Sequence, residues 1–251
     1  MSKNAILTPT DGFGRTMGAI KLLLGVPSDT EEPIGVYTKF GLYGYSVLIY
    51  GSHLDYLSAV NSVISPSLPE FDGDAIERWQ LTNDLVIGGL THAFPDENRI
   101  ARHQSALAAL VAFPTLEEIA RRVCGRWDED GRSTRDIPSS EGIVTRELDG
   151  TEKAEEFKAG RRRVVFLSHK LQLMHRALDP GLAGILERID HASRRSPIQG
   201  DTQQLAPLYD RLQYFRDRWV HGRKFEGFEA LLISHIIALI YFGKLGSRAA
   251  G

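Results

Sequence analysis

The chain has 251 residues, 42% of them hydrophobic and 25% charged, with a formal net charge of −2. That length can bury a sizeable core, as one large domain or two small ones, and the near-neutral charge excludes a global field that gathers nucleic acid. The single cysteine, Cys124, excludes an intrachain disulfide and cysteine-built zinc sites.

A reducing cytoplasm is the default compartment for such a chain. No basic segment followed by an apolar run and a small-residue cleavage site opens the sequence, so no secretory signal is expected. The basic residues are mostly arginine, which suits bidentate phosphate contacts but equally follows from genome composition.

Residues 1–50 are glycine-punctuated and weakly patterned, and form a separate N-terminal segment. Met17 to Leu24 predicts a short helix, and Gly35 to Tyr50, rich in aromatic and β-branched residues, a hairpin or buried strand pair. Asp11-Gly12-Phe13-Gly14-Arg15-Thr16 lacks a preceding strand and a Walker lysine, so it reads as a turn.

From residue 51 to 245 the pattern is that of a helical domain. Leu54, Leu57, Val60 and Ile64 recur at helical spacing up to Pro66, and helices follow at Asp74 to Leu90 and Asp96 to Phe113. Thr115-Leu116-Glu117-Glu118 reads as a capping box that opens a fresh helix after Pro114. Residues 127–151 are polar and turn-rich, which predicts a long surface loop.

A long helix is then expected from Glu152 to Leu178, with Val164, Leu167, Leu171, Met174 and Leu178 as its apolar seam. Leu182, Ile185, Leu186 and Ile189 mark a shorter helix. Gln203 to His221 carries Leu205, Leu208, Leu212, Phe215 and Trp219 in steps of three and four, a bundle seam that Gly222 ends. Glu226 to Phe242 is apolar all round, as the central helix of a bundle would be. The most apolar run, Phe228 to Gly243, is shorter than the ~20 residues of a membrane span and carries Glu229 and His235. No membrane association is expected, and His235 reads as a hydrogen-bonded core histidine.

The residues that bear chemistry lie at the end of the penultimate helix, where Arg216-Asp217-Arg218-Trp219-Val220-His221-Gly222 occurs. An arginine, four to six intervening residues and then a histidine is a cheap pattern. With 22 arginines and 8 histidines, about two matches arise by chance. The other matches join Arg162 and Arg163 to His169. Context decides between them.

On a regular helix Arg216 lies roughly 60° from the centre of the apolar seam and His221 about 160° from it. Between them sit Tyr209, Gln213, Asp217 and Val220, a mixed face suited to meeting another protein surface. Asp217 precedes His221 by four, the favourable order for pairing with an imidazolium. Metal-free RNA cleavage needs a base, an acid and a cation on the phosphate. One chain supplies half of that, and two copies across a two-fold axis supply all of it. The bland alternatives are that Arg216 pairs with an acid on a neighbouring helix and that His221 caps the helix C-terminus.

This constellation, on the penultimate helix of an all-helical domain, resembles the signature of HEPN domains: Arg, a polar residue, a few positions, then His, often followed by Gly. The resemblance covers residues 152–243 directly. It implies an all-α antiparallel bundle acting as a homodimeric, metal-independent endoribonuclease, with products bearing a 2′,3′-cyclic phosphate and a 5′-hydroxyl. It further implies a toxin–antitoxin or antiviral defence setting with a regulatory protein partner. Arg216 would hold the phosphate, His221 would transfer protons and Asp217 would orient His221.

Two departures stand out. A tyrosine two positions past the histidine, modified in some family toxins, is replaced here by Arg223. Many family members have also lost catalysis, so the alternative is a silent module that binds a protein or nucleotide through the same face.

Away from the scissile site, Arg161, Arg162, Arg163, Lys170 and Arg223 are the candidate phosphate contacts, although the arginine triplet also reads as the solvated face of a helix. His92, His103, His175, His191 and His235 show no metal-ligand spacing, and no cofactor or metal is expected.

Overall fold

The computed structural model describes residues 53–91, 99–146, 151–194, 207–220 and 228–249. The expected helix at Met17 to Leu24, the strand pair at Gly35 to Tyr50, Leu205, His221 and Arg223 lie outside the described residues.

The described chain is mostly helical. In order it forms α1 (His53–Val63), α2 (Gly73–Thr91), α3 (Arg99–Cys124), a 3-10 turn (Ser139–Glu141), β1 (Val144–Arg146) and β2 (Glu152–Ala154). There follow α4 (Leu167–Ala177), α5 (Pro180–Arg194), α6 (Leu208–Val220) and α7 (Phe228–Ala249).

The apolar C-terminal stretch takes the central position. α7 packs against α2, α3 and α5, and every residue from Glu229 to Gly243 is buried. The helix outruns the apolar run that predicted it: Glu229–Arg248 is long and apolar enough to cross a membrane, yet most of that stretch is buried inside the fold. His235 stacks on Tyr56 with ring centroids 5.0 Å apart, and its Nδ1 donates to the Leu231 carbonyl at 2.8 Å. It is the core histidine that the sequence predicts.

Around α7 the bulk of the core is aromatic. Trp79, Phe71, Tyr241 and Phe242 form a chain of tilted and edge-on contacts, with Trp79 and Tyr241 centroids 5.6 Å apart. Their polar atoms are all accounted for, as burial requires. The Trp79 indole donates to Ser234 Oγ at 3.0 Å, Ser234 donates to Asn83 Oδ1, and the Asn83 amide donates to Asn61 Oδ1 at 2.6 Å. Tyr241 donates its hydroxyl proton to the Ser65 carbonyl and accepts from the Ser65 amide, both at 3.1 Å.

Three local expectations are corrected. Pro114 does not start a helix. α3 runs through it, and Thr115, predicted as a cap, donates its hydroxyl to the Val111 carbonyl at 2.7 Å. An interior proline costs about 3 kcal/mol. Phe113, Leu116 and Ile119 are all buried on this helix, and full burial is worth about 1.5–3 kcal/mol each. Packing therefore outweighs the proline.

The polar stretch 127–151 is not a plain surface loop, and the long helix from Glu152 does not form. Residues 125–146 and 151–166 make an irregular excursion with short β pairings instead. β1 and β2 pair antiparallel, with Val144 opposite Ala154. Ile137 and Phe157 exchange both backbone hydrogen bonds, at 2.8 and 2.9 Å. Trp127, Ile137, Ile143 and Phe157 are buried, which anchors this polar segment to the common hydrophobic core. Gly131 (φ 77°) and Gly160 (φ 65°) close its turns in the left-handed region, where a side chain would strain the backbone. The predicted seam residues Val164, Leu167, Leu171, Met174 and Leu178 are all buried, but the helix begins only at Leu167.

A buried histidine fastens this excursion to α4. His169 Nε2 lies 2.9 Å from Thr145 Oγ1, and that hydroxyl donates to Glu155 Oε1 at 2.8 Å. Arg162 closes the network on Glu155 Oε2 at 2.6 Å. Burial, against Phe157 and Phe166, holds His169 below its ordinary pKa of 6.5. Burial opposes ionisation of Glu155 too, but hydrogen bonds from Thr145 and Arg162 hold its pKa below the usual range.

Between the lowered folded pKa of His169 and about 6.5, the unfolded chain binds more protons. Stability is therefore complete above that window and falls as pH drops through it. Urea midpoints measured from pH 7 to pH 5 should decline, and His169→Gln, which keeps a donor for Thr145, should flatten the decline by up to about 1.4 kcal/mol per pH unit. An identical pH profile for both proteins would refute the assignment.

Candidate functional site

The candidate residues sit where α3, α4 and α6 meet, and one carboxylate organises them. Glu117, on the α3 turn after Pro114, takes the Lys170 ammonium of α4 on Oε2 at 2.5 Å and Nε of Arg216 of α6 on Oε1 at 2.9 Å. The Lys170 side chain is 12% exposed, whereas that of Arg216 is 29% exposed, so only the arginine presents a substantial surface to solvent.

Glu118, one residue on, turns the other way. It takes Arg121 through both oxygens, at 2.6 and 2.9 Å, and Arg122 at 2.5 Å. The Arg121 hydrogen bonds, ahead of opposing burial and the Arg122 bond, hold the Glu118 carboxyl below its usual pKa. Arg122 also reaches Asp72 at 2.6 Å. The two acids thus divide the work: Glu118 neutralises its own helix, and Glu117 ties three helices together.

Glu117 and Lys170 also line a cavity of about 440 Å3, whose walls include Arg78, Arg121, Trp127 and Gly131. Arg78 Nε is buried there without a hydrogen-bond partner. The cavity is polar and of mixed charge, since Asp74, Asp128 and Glu129 line it as well.

The predicted second face of α6 meets a helix of the same chain. Tyr209 shares a 2.8 Å hydrogen bond with His175 Nδ1 on α4, and His175 Nε2 is 3.1 Å from Glu187. Burial, with Asp190 and Glu187 adding to it, pushes the Tyr209 phenol well above its ordinary pKa. Gln213 accepts from the Ser168 amide at 3.3 Å, at the start of α4, and donates to Asp217 Oδ1 at 2.7 Å. Asp217 is exposed. Val220 ends α6, and the partner predicted for Asp217, His221, lies outside the described residues.

The arginine triplet is on a turn rather than a helix. Arg161, Arg162 and Arg163 are all exposed, but Arg162 is committed to Glu155 and to the Glu156 carbonyl, and stacks over Phe157 at 5.0 Å. Of the candidate phosphate contacts, Lys170 joins Arg216 at Glu117, and Arg161 and Arg163 stay on the surface.

Sequence reasoning missed Glu117 as a site residue. It read the residue as half of a capping box, and no spacing signal links positions 117, 170 and 216. Cys124 offers no nucleophile, because burial pushes its thiol up to about 11. Among the described residues no group of three or more histidines, cysteines or acids is placed to hold a metal ion.

Glu117→Gln should cost about 1.5–3 kcal/mol, the usual worth of hydrogen bonds to charged groups, because Lys170 and Arg216 lose their shared counter-ion. A urea titration reads this directly. An unchanged midpoint would mean that the carboxylate does not tie the helices.

No protein-family model, no curated protein and no solved structure matches this chain.

Proposed function

We propose that the protein is a metal-independent endoribonuclease of the HEPN kind, acting as a homodimer. Arg216 binds the scissile phosphate, His221 transfers protons and Asp217 orients His221. The observation that carries this reading is the setting of Arg216. It projects from the penultimate helix of a helical bundle, is held in place by Glu117, and remains partly exposed. A guanidinium fixed in this way loses little freedom on meeting a phosphate, and its charge is permanent. Lys170 on the other oxygen of Glu117 leaves the trio with a net positive charge.

The test is cleavage of end-labelled RNA in excess chelator, with the product ends identified. A 2′,3′-cyclic phosphate is expected, because a 2′-hydroxyl nucleophile needs no metal-bound water.

A second reading has its own support in the same ion pair. Arg216 already has an internal counter-ion, as a purely structural arginine would. On that reading the chain is a silent helical module that binds a protein or nucleotide. Wild-type protein that leaves every RNA intact would favour it.

A further inference from the structure

Two arginines that are 31 positions apart in sequence face each other across the irregular excursion. Arg132 and Arg163 form an isolated antiparallel bridge. The flanking residues make the hydrogen bonds: the Val164 amide donates to the Gly131 carbonyl at 2.7 Å, and the Ser133 amide to the Arg162 carbonyl at 3.2 Å. Arg132 and Arg163 are therefore a non-hydrogen-bonded pair, the closer of the two cross-strand arrangements, with side chains on one face. Both are exposed.

Like charges directly opposite one another destabilise a strand pair. Neither guanidinium is in an ion pair among the described residues, although acids are close by. Most of those acids are engaged elsewhere. Asp128 accepts the Arg132 backbone amide at 2.7 Å, Glu129 reaches Arg121 at 3.6 Å, and Glu155 holds Arg162. Glu156 holds Lys158 at 2.5 Å, and Asp136 accepts the Ala159 amide at 2.8 Å. Asp130 stands exposed at the tip of the turn. The fold thus sets two cations on one face with no ion pair to either among the described residues.

The location adds direction. Gly131, next to Arg132, lines the cavity that Lys170 and Glu117 also line, and Glu117 carries Arg216. The arginine pair thus adjoins, through Gly131, a mixed-charge cavity whose wall includes Lys170 beside Asp74, Asp128 and Glu129.

We propose that Arg132 and Arg163 together clamp a backbone phosphate of single-stranded RNA. The proposal rests on the ribonuclease reading for its choice of polyanion. The pair positions the strand and takes no part in bond cleavage. Guanidinium forks suit phosphate oxygens, and two exposed arginines on one face can bracket one phosphate.

The probe is a fluorescein-labelled 20-nucleotide 2′-O-methyl RNA, which lacks the nucleophile and binds without being cut. Its affinity for the full chain is measured from 50 to 200 mM salt. Single-stranded contacts contribute about 0.7 each to the logarithmic salt slope. The double variant Arg132→Gln/Arg163→Gln should lower the slope by about 0.7 and weaken binding roughly fivefold at 0.1 M salt. Lys153→Gln, on the exposed β2 strand, serves as the charge control and should change little.

The double variant should also keep or raise its urea midpoint, because a repulsive pair has been removed. An unchanged slope, an equal loss in the lysine control, a lowered midpoint, or no binding by the wild type at low salt would each overturn the clamp. Binding that responds as expected, with all-ribose RNA left uncut, retains the clamp and sinks the ribonuclease reading. Cleavage by the wild type together with an unchanged slope in the variant does the reverse.

Discussion

Replacing His221 with alanine is expected to slow RNA cleavage by about 10²–10⁴-fold, the usual contribution of a positioned general acid or base. Arg216→Ala should slow it by about 10²–10³-fold, as loss of a preorganised donor on developing charge does. The two variants should differ in pH dependence. Without Arg216 the profile should still report a histidine, whereas without His221 the residual rate should lose that inflection. Arg216→Lys should recover only part of the activity, since an ammonium keeps the charge but not the planar fork.

Removing Arg216 leaves Glu117 paired with Lys170, so the bundle should stay folded and the oligomeric state unchanged. Size-exclusion chromatography with light scattering checks that point. If both variants cleave as well as the wild type, any activity observed belongs to other residues and the assignment fails.

Trp79→Ala should be the most damaging single change to stability. The indole is fully buried in contact with Phe71 and Tyr241, and truncating such a side chain costs about 3–5 kcal/mol. Domains of this kind have only about 5–15 kcal/mol in total. At ~2–4 °C per kcal/mol for a chain of this size, the melting midpoint should fall by roughly 6–20 °C. Ser234→Ala probes the polar end of the same side chain. It strips the indole N–H and Asn83 of their shared hydroxyl and should cost about 1–3 kcal/mol. Thermal unfolding followed by circular dichroism separates the two effects. A loss below 1 kcal/mol in Trp79→Ala would show that the core closes over the gap.

Much of the helical layout was legible because helix formation is a local, periodic property. The seam of Leu208 and Leu212 is buried as its spacing predicts, and so are Leu57 and Val60 on α1 and Ile64 just past its end. Errors arose where periodicity and backbone chemistry disagreed. Val164 fits a helical seam, yet Gly160 and the pairing of Phe157 with Ile137 keep that segment out of the helix, which begins only at Leu167. Pro114 and Thr115 read as a helix boundary, and long-range burial carries α3 across them.

By itself the sequence determined the helical character, the central place of the apolar C-terminal helix and the single helix that carries Arg216 and Asp217. Each follows from the order of apolar and polar side chains along a few turns. Only the tertiary structure decided what surrounds those residues. Glu117 reaches Lys170 and Arg216 because α3, α4 and α6 cross at one point, and Arg132 faces Arg163 because a strand register aligns them. These contacts join positions tens of residues apart, so they depend on how elements pack and on which backbone groups pair. No local pattern in the chain encodes either.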